Sequence, residues 1–386
     1  MKDFQPPPFL QGIGKSPIRR MSDRAKPGDI SFGLGEPDLP TPDIIRRTAI
    51  RAIEEEQNGY TLQAGLPELR ERVASNYPQM NLSTDQVIIT AGSQEALYLA
   101  LMTLVREGDE VLLPDPGFVA YPTIVRMAGG VPVFYRLPAA QDFAFDADDF
   151  RRRLSPRTKA VICISPSNPT GRTLSSADME AMAEALRDTR VFMVSDEIYN
   201  ELYYTPERPV SISSFYDRTI VISGLSKSMS MTGWRLGWIC GEAAVILSAQ
   251  ILHGYVTTCA STISQKAALA AWTAEAENAR REIRQTFRKR RDHLLDLIAR
   301  ELGLRAVTPE GAFYTMVDTR RYGSCVEVAD ALLDHGVITI PGAPFGRESE
   351  GFLRISFCAE VPALTEGVAR MKQALQLILN ARSGVP

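Results

Sequence analysis

Histidine is scarce in this chain. The three present, His253, His293 and His335, lie far apart and lack metal-ligand spacing, so no structural metal is expected. Cysteine is also sparse: Cys163, Cys240, Cys259, Cys325 and Cys358 form no CxxC pair. An odd, scattered set argues against a disulfide framework and suits a reducing compartment. Neither sign of charge dominates, with 43 Lys and Arg against 46 Asp and Glu and a formal net charge of -3. That balance gives no electrostatic reason to expect nucleic acid or an anionic membrane as partner. The basic clusters Arg19-Arg20, Arg151-Arg152-Arg153 and Arg288 to Arg291 are short and read as solvated faces. No apolar run reaches the length of a membrane span, and MKDFQPPPFLQGIGKSP carries no signal-type apolar core. A cytoplasmic, soluble protein is the expectation.

What is present is length and a repeated pattern. A chain of 386 residues exceeds one small core, so two domains are expected. Between about residues 85 and 240, short apolar runs end abruptly in small or polar residues. Val87 to Thr90 runs into Ala91-Gly92-Ser93-Gln94, and Glu110 to Leu113 into Pro114-Asp115-Pro116-Gly117. Ala160 to Ile164 runs into Ser165 to Gly171, Val191 to Val194 into Ser195-Asp196-Glu197, and Thr219 to Ile222 into Ser223-Gly224-Leu225-Ser226-Lys227. Runs apolar on consecutive residues predict strands buried on both faces, and alternation with helices such as Ser176 to Arg187 predicts an open, mostly parallel α/β sheet. Ligands of such sheets sit beyond the carboxyl ends of the strands. From 245 to 300 the pattern turns helical, with Ala274 to Arg300 resembling a solvent-exposed connecting helix. Strands are then predicted at Gly311 to Val317, Val337 to Ile340 and Phe352 to Phe357, with a helix over Leu364 to Ala381. The expected division is a large cofactor-binding domain over 45–285, and a smaller α+β domain formed by 1–44 with 286–386.

The strand ends carry the chemistry. Lys227 closes a buried strand, where an ammonium is costly unless paired or neutralised, and a neutral amine can form a Schiff base. Arg235, eight residues on, supplies a fork suited to phosphate. Taken alone the pair would read as two surface cations. Asp196 ends another buried strand and needs a cationic partner, for which a pyridinium nitrogen is suitable. Asn168 and Tyr199 are donors for a ring phenolate oxygen. Gly92-Ser93-Gln94 opens a helix whose amides and dipole suit a phosphate.

Together these pieces resemble the class I and II aminotransferases of fold type I. The resemblance rests on Gly33-Leu34-Gly35-Glu36-Pro37-Asp38, Gly59-Tyr60-Thr61, Ala91 to Leu97, Asn168-Pro169-Thr170-Gly171, Ser195 to Tyr199, Ser226 to Gly237 and Leu353-Arg354-Ile355-Ser356. It implies pyridoxal 5'-phosphate as cofactor, held on Lys227, which also shuttles the substrate's α-proton. Asp196 would pair with the ring nitrogen, Asn168 and Tyr199 with the phenolic oxygen, and Phe118 would stack on the ring. Gly92, Ser93, Gln94, Ser226 and Arg235 would surround the phosphate. Tyr60 would reach the phosphate of a neighbouring subunit, implying a homodimer with shared sites. Arg354, helped by Gly35 and Asn168, would clamp the substrate α-carboxylate. Gly224 stands where the wider family often has a phosphate-binding serine.

The expected reaction is ping-pong transfer of an amino group from an L-amino acid to a 2-oxo acid. A β-eliminating C–S lyase or a cyclopropane-forming synthase would need the same Lys227, Asp196 and Arg354. An aminotransferase-like regulator would carry a DNA-binding extension, for which the resemblance, starting by about residue 12, leaves no room. A dicarboxylic substrate would need a second cation, for which Lys15, Arg19 and Arg20 are candidates.

Overall fold

The computed structural model describes residues 13–15 and 17–383. Its centre is a seven-stranded sheet made of β1 (Val87–Thr90), β2 (Glu110–Asp115), β3 (Val131–Arg136), β4 (Thr158–Ile164), β5 (Phe192–Asp196), β6 (Thr219–Gly224) and β7 (Gly237–Cys240). The spatial order is β1-β7-β6-β5-β4-β2-β3. Every neighbouring pair is parallel except the two that β7 makes, with β1 and with β6. The predicted mostly parallel α/β sheet is therefore present.

The strands β1, β2, β5, β6 and β7 are buried along their whole length, the burial that consecutive apolar residues predict. Two strands of this sheet were not predicted. β7 begins at Gly237, the last residue of the motif that contains Lys227, where that glycine reads as motif rather than as strand. β3 is an edge strand, partly exposed, with Pro132 inside it. Proline lacks the amide hydrogen a central strand must donate, so an edge is where it fits.

Helices cover the sheet. α1 (Ser93–Leu104) follows β1, α2 (Ala243–Val256) packs against α1, and α3 (Ala274–Leu297) is the long helix. The predicted solvent-exposed connector is only half so. Ala276, Arg280, Ile283, Phe287, Arg290, Leu294 and Leu297 form one buried stripe along α3, at the spacing of a single helical face. The helix gives way after Leu297 to a wider π-helical turn, Ile298–Leu302, and ends at Gly303 with φ +58°.

Beyond α3 a three-stranded antiparallel sheet forms from β8 (Tyr314–Asp318), β9 (Ile340–Pro341) and β10 (Phe352–Ser356), with β10 central. The predicted strand at Val337 to Ile340 is split. Val337–Ile338 pairs in parallel with Ile30–Ser31 of the N-terminal segment, while β9 pairs with β10. The N-terminal segment thereby runs against the C-terminal sheet, and its continuation, Gly33 to Asp38, passes over the ends of the central strands.

Candidate active site

β4, β5 and β6 lie side by side in parallel and end at one rim, where Ile164 pairs in register with Asp196 and Asp196 with Ile222. A cavity of about 280 Å³ opens there, lined by residues that include Gly35, Ser93, Gln94, Phe118, Asn168, Asp196, Tyr199, Ser226, Lys227, Arg235 and Arg354. Eleven predicted site residues thus share one chamber, though Gly35 and Arg354 lie near opposite ends of the chain. A larger cavity of about 640 Å³ lies behind Phe118 and Tyr121, but neither Lys227 nor Arg354 lines it.

Lys227 donates from Nζ to the carbonyl oxygen of Gly35 at 2.7 Å. Burial pushes its ammonium down to about 8, with the Arg235 and Arg354 charges adding to that effect. Asp196 is buried, and desolvation raises its carboxyl to about 6. Two donors work against that rise: the Tyr121 hydroxyl reaches Oδ2 at 2.8 Å, and the Ile198 amide reaches Oδ1 at 3.2 Å. A buried acid and a buried amine therefore face one cavity, each displaced toward its neutral form.

The turn between β1 and α1 forms one end of the chamber. Gly92 adopts φ +90°, and a Cβ there would lie 2.6 Å from Nη2 of Arg235. Arg235 itself sits at φ +53° and donates to the carbonyls of Thr232 and Ala91 at 2.9 and 3.3 Å. Non-glycine residues seldom take that conformation, and such strain concentrates at functional sites. The guanidinium is thus folded back over the amino-terminal end of α1, beside Ser93 and Gln94. The departure at Gly224 also has a cause. A Cβ there would lie 2.8 Å from the Leu236 carbonyl oxygen and 3.0 Å from the Gly237 Cα, so β7 leaves no space for a side chain.

Arg354, 1% exposed on β10, forms the opposite end. Its Nη1 donates to Oδ1 of Asn168 at 3.0 Å and its Nη2 to the Gly33 carbonyl oxygen at 2.5 Å. The guanidinium carbon lies 4.4 Å from the ring centre of Tyr314 and 5.0 Å from that of Phe345. Nε is buried without a hydrogen-bond partner among the described residues.

Tyr60 is not in the chamber of its own chain: it is 87% exposed. Lys15 is paired with Asp23 at 2.7 Å, both exposed, and neither it, Arg19 nor Arg20 lines the chamber. Sequence reasoning missed Tyr121 and Tyr314. Tyr314 lines the cavity and shares a 2.9 Å hydrogen bond between its hydroxyl and that of Tyr199. Among the described residues no group of three or more His, Cys, Asp or Glu side chains is placed to hold a metal ion.

The sequence profile of the family Aminotransferase class I and II matches residues 27–370. The chain belongs to that family. A probable aspartate/prephenate aminotransferase of Aquifex aeolicus is 37% identical over 92% of this chain and 93% of its own length. A probable N-acetyl-LL-diaminopimelate aminotransferase of Bacillus subtilis is 37% identical over 97% of this chain and 98% of its own. Among solved structures, the aspartate aminotransferase of Thermus thermophilus with maleate superposes with a TM-score of 0.92 at 32% identity, covering 96% of this chain and all of that one.

This aminotransferase depends on pyridoxal phosphate, and its chamber fits that group. A buried acid with no ion-pair partner among the described residues suits a protonated ring nitrogen, and a lysine shifted toward its neutral form suits an aldehyde. The Arg235-covered start of α1 suits a phosphate. No described helix is long and apolar enough to cross a membrane.

Proposed function

We propose that the reaction of this aminotransferase runs on the following division of labour. Asp196 holds the ring nitrogen of pyridoxal phosphate, and Asn168 and Tyr199 hold its phenolic oxygen. Phe118 stacks on the ring, and Gly92, Ser93, Gln94, Ser226 and Arg235 take the phosphate. When bound, the cofactor supplies an electron sink that acidifies the hydrogen on the substrate's α-carbon. Lys227 Nζ would hold the cofactor covalently at rest and, once the substrate's amino group has taken its place, would be the free amine that takes this α-proton and returns it, a task for which an amine near its neutral form is suited.

The observation that carries this reading is the state of Arg354. A fully buried guanidinium, flanked by two rings and given only neutral acceptors at Nη1 and Nη2 and none at Nε among the described residues, calls for an anionic partner. A carboxylate of the substrate would satisfy it with the two-pronged geometry arginine favours. Because Asn168 accepts from Arg354 through Oδ1, its NH₂ group is left to donate, and one side chain serves substrate and cofactor together.

The donor–acceptor pair we propose includes aspartate, following the names of the Aquifex and Thermus relatives; since none of Lys15, Arg19 and Arg20 lines the chamber of its own chain, the second cation would have to come from the partner subunit. The division into 45–285 and 1–44 with 286–386 belongs to the same reading, with Arg354 and Gly35 brought by the smaller unit and water excluded as it closes. So does a homodimer. Tyr60 and Leu62 stand exposed beside α2, whose residues Leu247, Ile251 and Tyr255 form an outward apolar stripe, and Gln63 ties the two segments through Gln250. Free cysteines throughout the described residues suit the cytoplasm, the compartment we propose.

A panel of amino-acid donors against 2-oxoglutarate, pyruvate and oxaloacetate tests the substrate reading. Turnover with aspartate is expected, and turnover confined to donors with uncharged side chains would overturn it. Sedimentation of the holoenzyme should give a dimer, and a monomer of full activity would remove Tyr60 from the site.

A further inference from the structure

Behind the turn that forms the phosphate end of the chamber lies a buried polar cluster with no part in the reaction as described. Glu95 occupies the first turn of α1, two residues after Ser93. Its Oε2 accepts the amide hydrogen of Ala91, and its Oε1 accepts both Nδ1 of His253 at 2.8 Å and the hydroxyl of Thr257 at 2.7 Å. A carboxylate only accepts, so Nδ1 is the nitrogen of His253 that carries hydrogen. The His253 side chain is wholly buried and that of Glu95 is 8% exposed. Nε2 of His253 has no hydrogen-bond partner among the described residues.

The placement is unusual for an anion site. An acidic group in the first turn of a helix is ordinarily favourable, because it faces the positive end of the helix dipole. Here that same end is the one that would be offered to a phosphate, and two anions at one helix end repel in a poorly solvated place. Glu95 nevertheless does a necessary job. The backbone of Ala91 is gripped at both ends, its N–H by Glu95 and its carbonyl by Arg235. The next two residues that line the cavity, Ser93 and Gln94, follow directly from this turn.

We propose that His253 is a positioning residue for the phosphate of the cofactor: by donating to Glu95, with Thr257, it offsets the carboxylate charge while letting Glu95 hold the Ala91–Gly92 turn. The inference rests on the reading that Ser93, Gln94 and Arg235 bind that phosphate. The cluster also joins the turn to α2. His253 sits on the inner face of that helix, while Leu247, Ile251 and Tyr255 face outward. The cradle is thus fixed to the element that carries the exposed apolar stripe.

The test compares equilibrium affinities of the apoenzyme for pyridoxal phosphate and for pyridoxal, followed by quenching of protein fluorescence. Their ratio isolates what the phosphate contributes. In the parent enzyme the ratio should be large. His253→Leu should lower it roughly tenfold, since the Glu95 charge then faces the phosphate without its donor. Adding Glu95→Gln to His253→Leu should restore most of the loss, because the amide keeps an acceptor for Ala91 and carries no charge. His253→Gln, which preserves polarity, should give a smaller fall of the same kind and serves if the leucine variant does not fold. A large parent ratio that neither His253 variant changes, or that Glu95→Gln fails to restore, overturns the proposal alone. A parent ratio near one overturns it together with the reading of Ser93, Gln94 and Arg235 as the phosphate cradle.

Discussion

The hydroxyl of Tyr121 donates to Oδ2 of Asp196 at 2.8 Å, in a place where both side chains are buried. Burial and the neighbouring carboxyl push the Tyr121 phenol well above its ordinary range, so the group stays protonated and remains a donor. Asp196 is held ionisable by this bond, the Ile198 amide and the charge of Lys227, against desolvation that favours the neutral acid.

Replacing Tyr121 by Phe removes one of these supports while keeping the ring. Hydrogen bonds to charged groups contribute about 1.5–3 kcal/mol, so kcat/KM should fall by roughly 10- to 100-fold. Steady-state kinetics at pH 8 with a fixed donor and acceptor would show it. Unchanged kinetics would mean that Asp196 does not need Tyr121.

Asp196 should destabilise the empty protein while serving the loaded one. Its folded-state pKa, about 6, lies above the ordinary 3.8, so the folded chain disfavours the ionised form. The penalty is full above pH 6, fades as pH falls from 6 toward 4, and is about 3 kcal/mol at its largest. Asp196→Asn should therefore raise the melting temperature of the apoenzyme at pH 8, with little difference at pH 4, and nearly abolish transamination. Thermal melts of both apo forms across that range check the sign.

The amine of Lys227 should become reactive near pH 8 rather than near 10.5. Desolvation lowers its pKa, so the neutral fraction grows as pH rises and is half-developed at about 8. The rate at which the apoenzyme's Lys227 is acylated, followed by peptide mass spectrometry from pH 6 to 11, should show that midpoint. A midpoint above 10 would contradict a buried amine.

Arg354→Lys keeps a charge but loses the planar fork, and with it the paired contacts to Asn168 and Gly33. KM for the amino-acid donor should rise about 100-fold, two charge-assisted hydrogen bonds being at stake. Phe345→Leu leaves the guanidinium and removes one flanking ring, for which roughly a fivefold fall in kcat/KM is expected.

Much of this site was legible in the sequence because buried parallel strands advertise themselves. Thr219 to Ile222 is apolar on consecutive residues, so its end could be located, and Lys227 with it. The same held for Asp196 and for Gly92-Ser93-Gln94. Tyr121 could not be found that way. It lies in the first turn of the short helix Tyr121–Met127, and only the folded sheet brings that turn to Asp196, 75 positions away. Its nearness to Phe118, three residues earlier, was the one available signal. Tyr314 stood within a predicted strand, yet its facing toward Arg354 depends on the pairing of β8 with β10, which sequence alone does not register. Similarly, β7 runs against the direction of its neighbours, so the α/β alternation that revealed the parallel strands did not reveal it.

The most direct test of the account is to reduce the holoenzyme with borohydride, digest it and map the pyridoxyl group. The account predicts a single modified residue, Lys227, and no trapped cofactor in Lys227→Ala treated alike. A pyridoxyl group on any other lysine, or full trapping in Lys227→Ala, would contradict it.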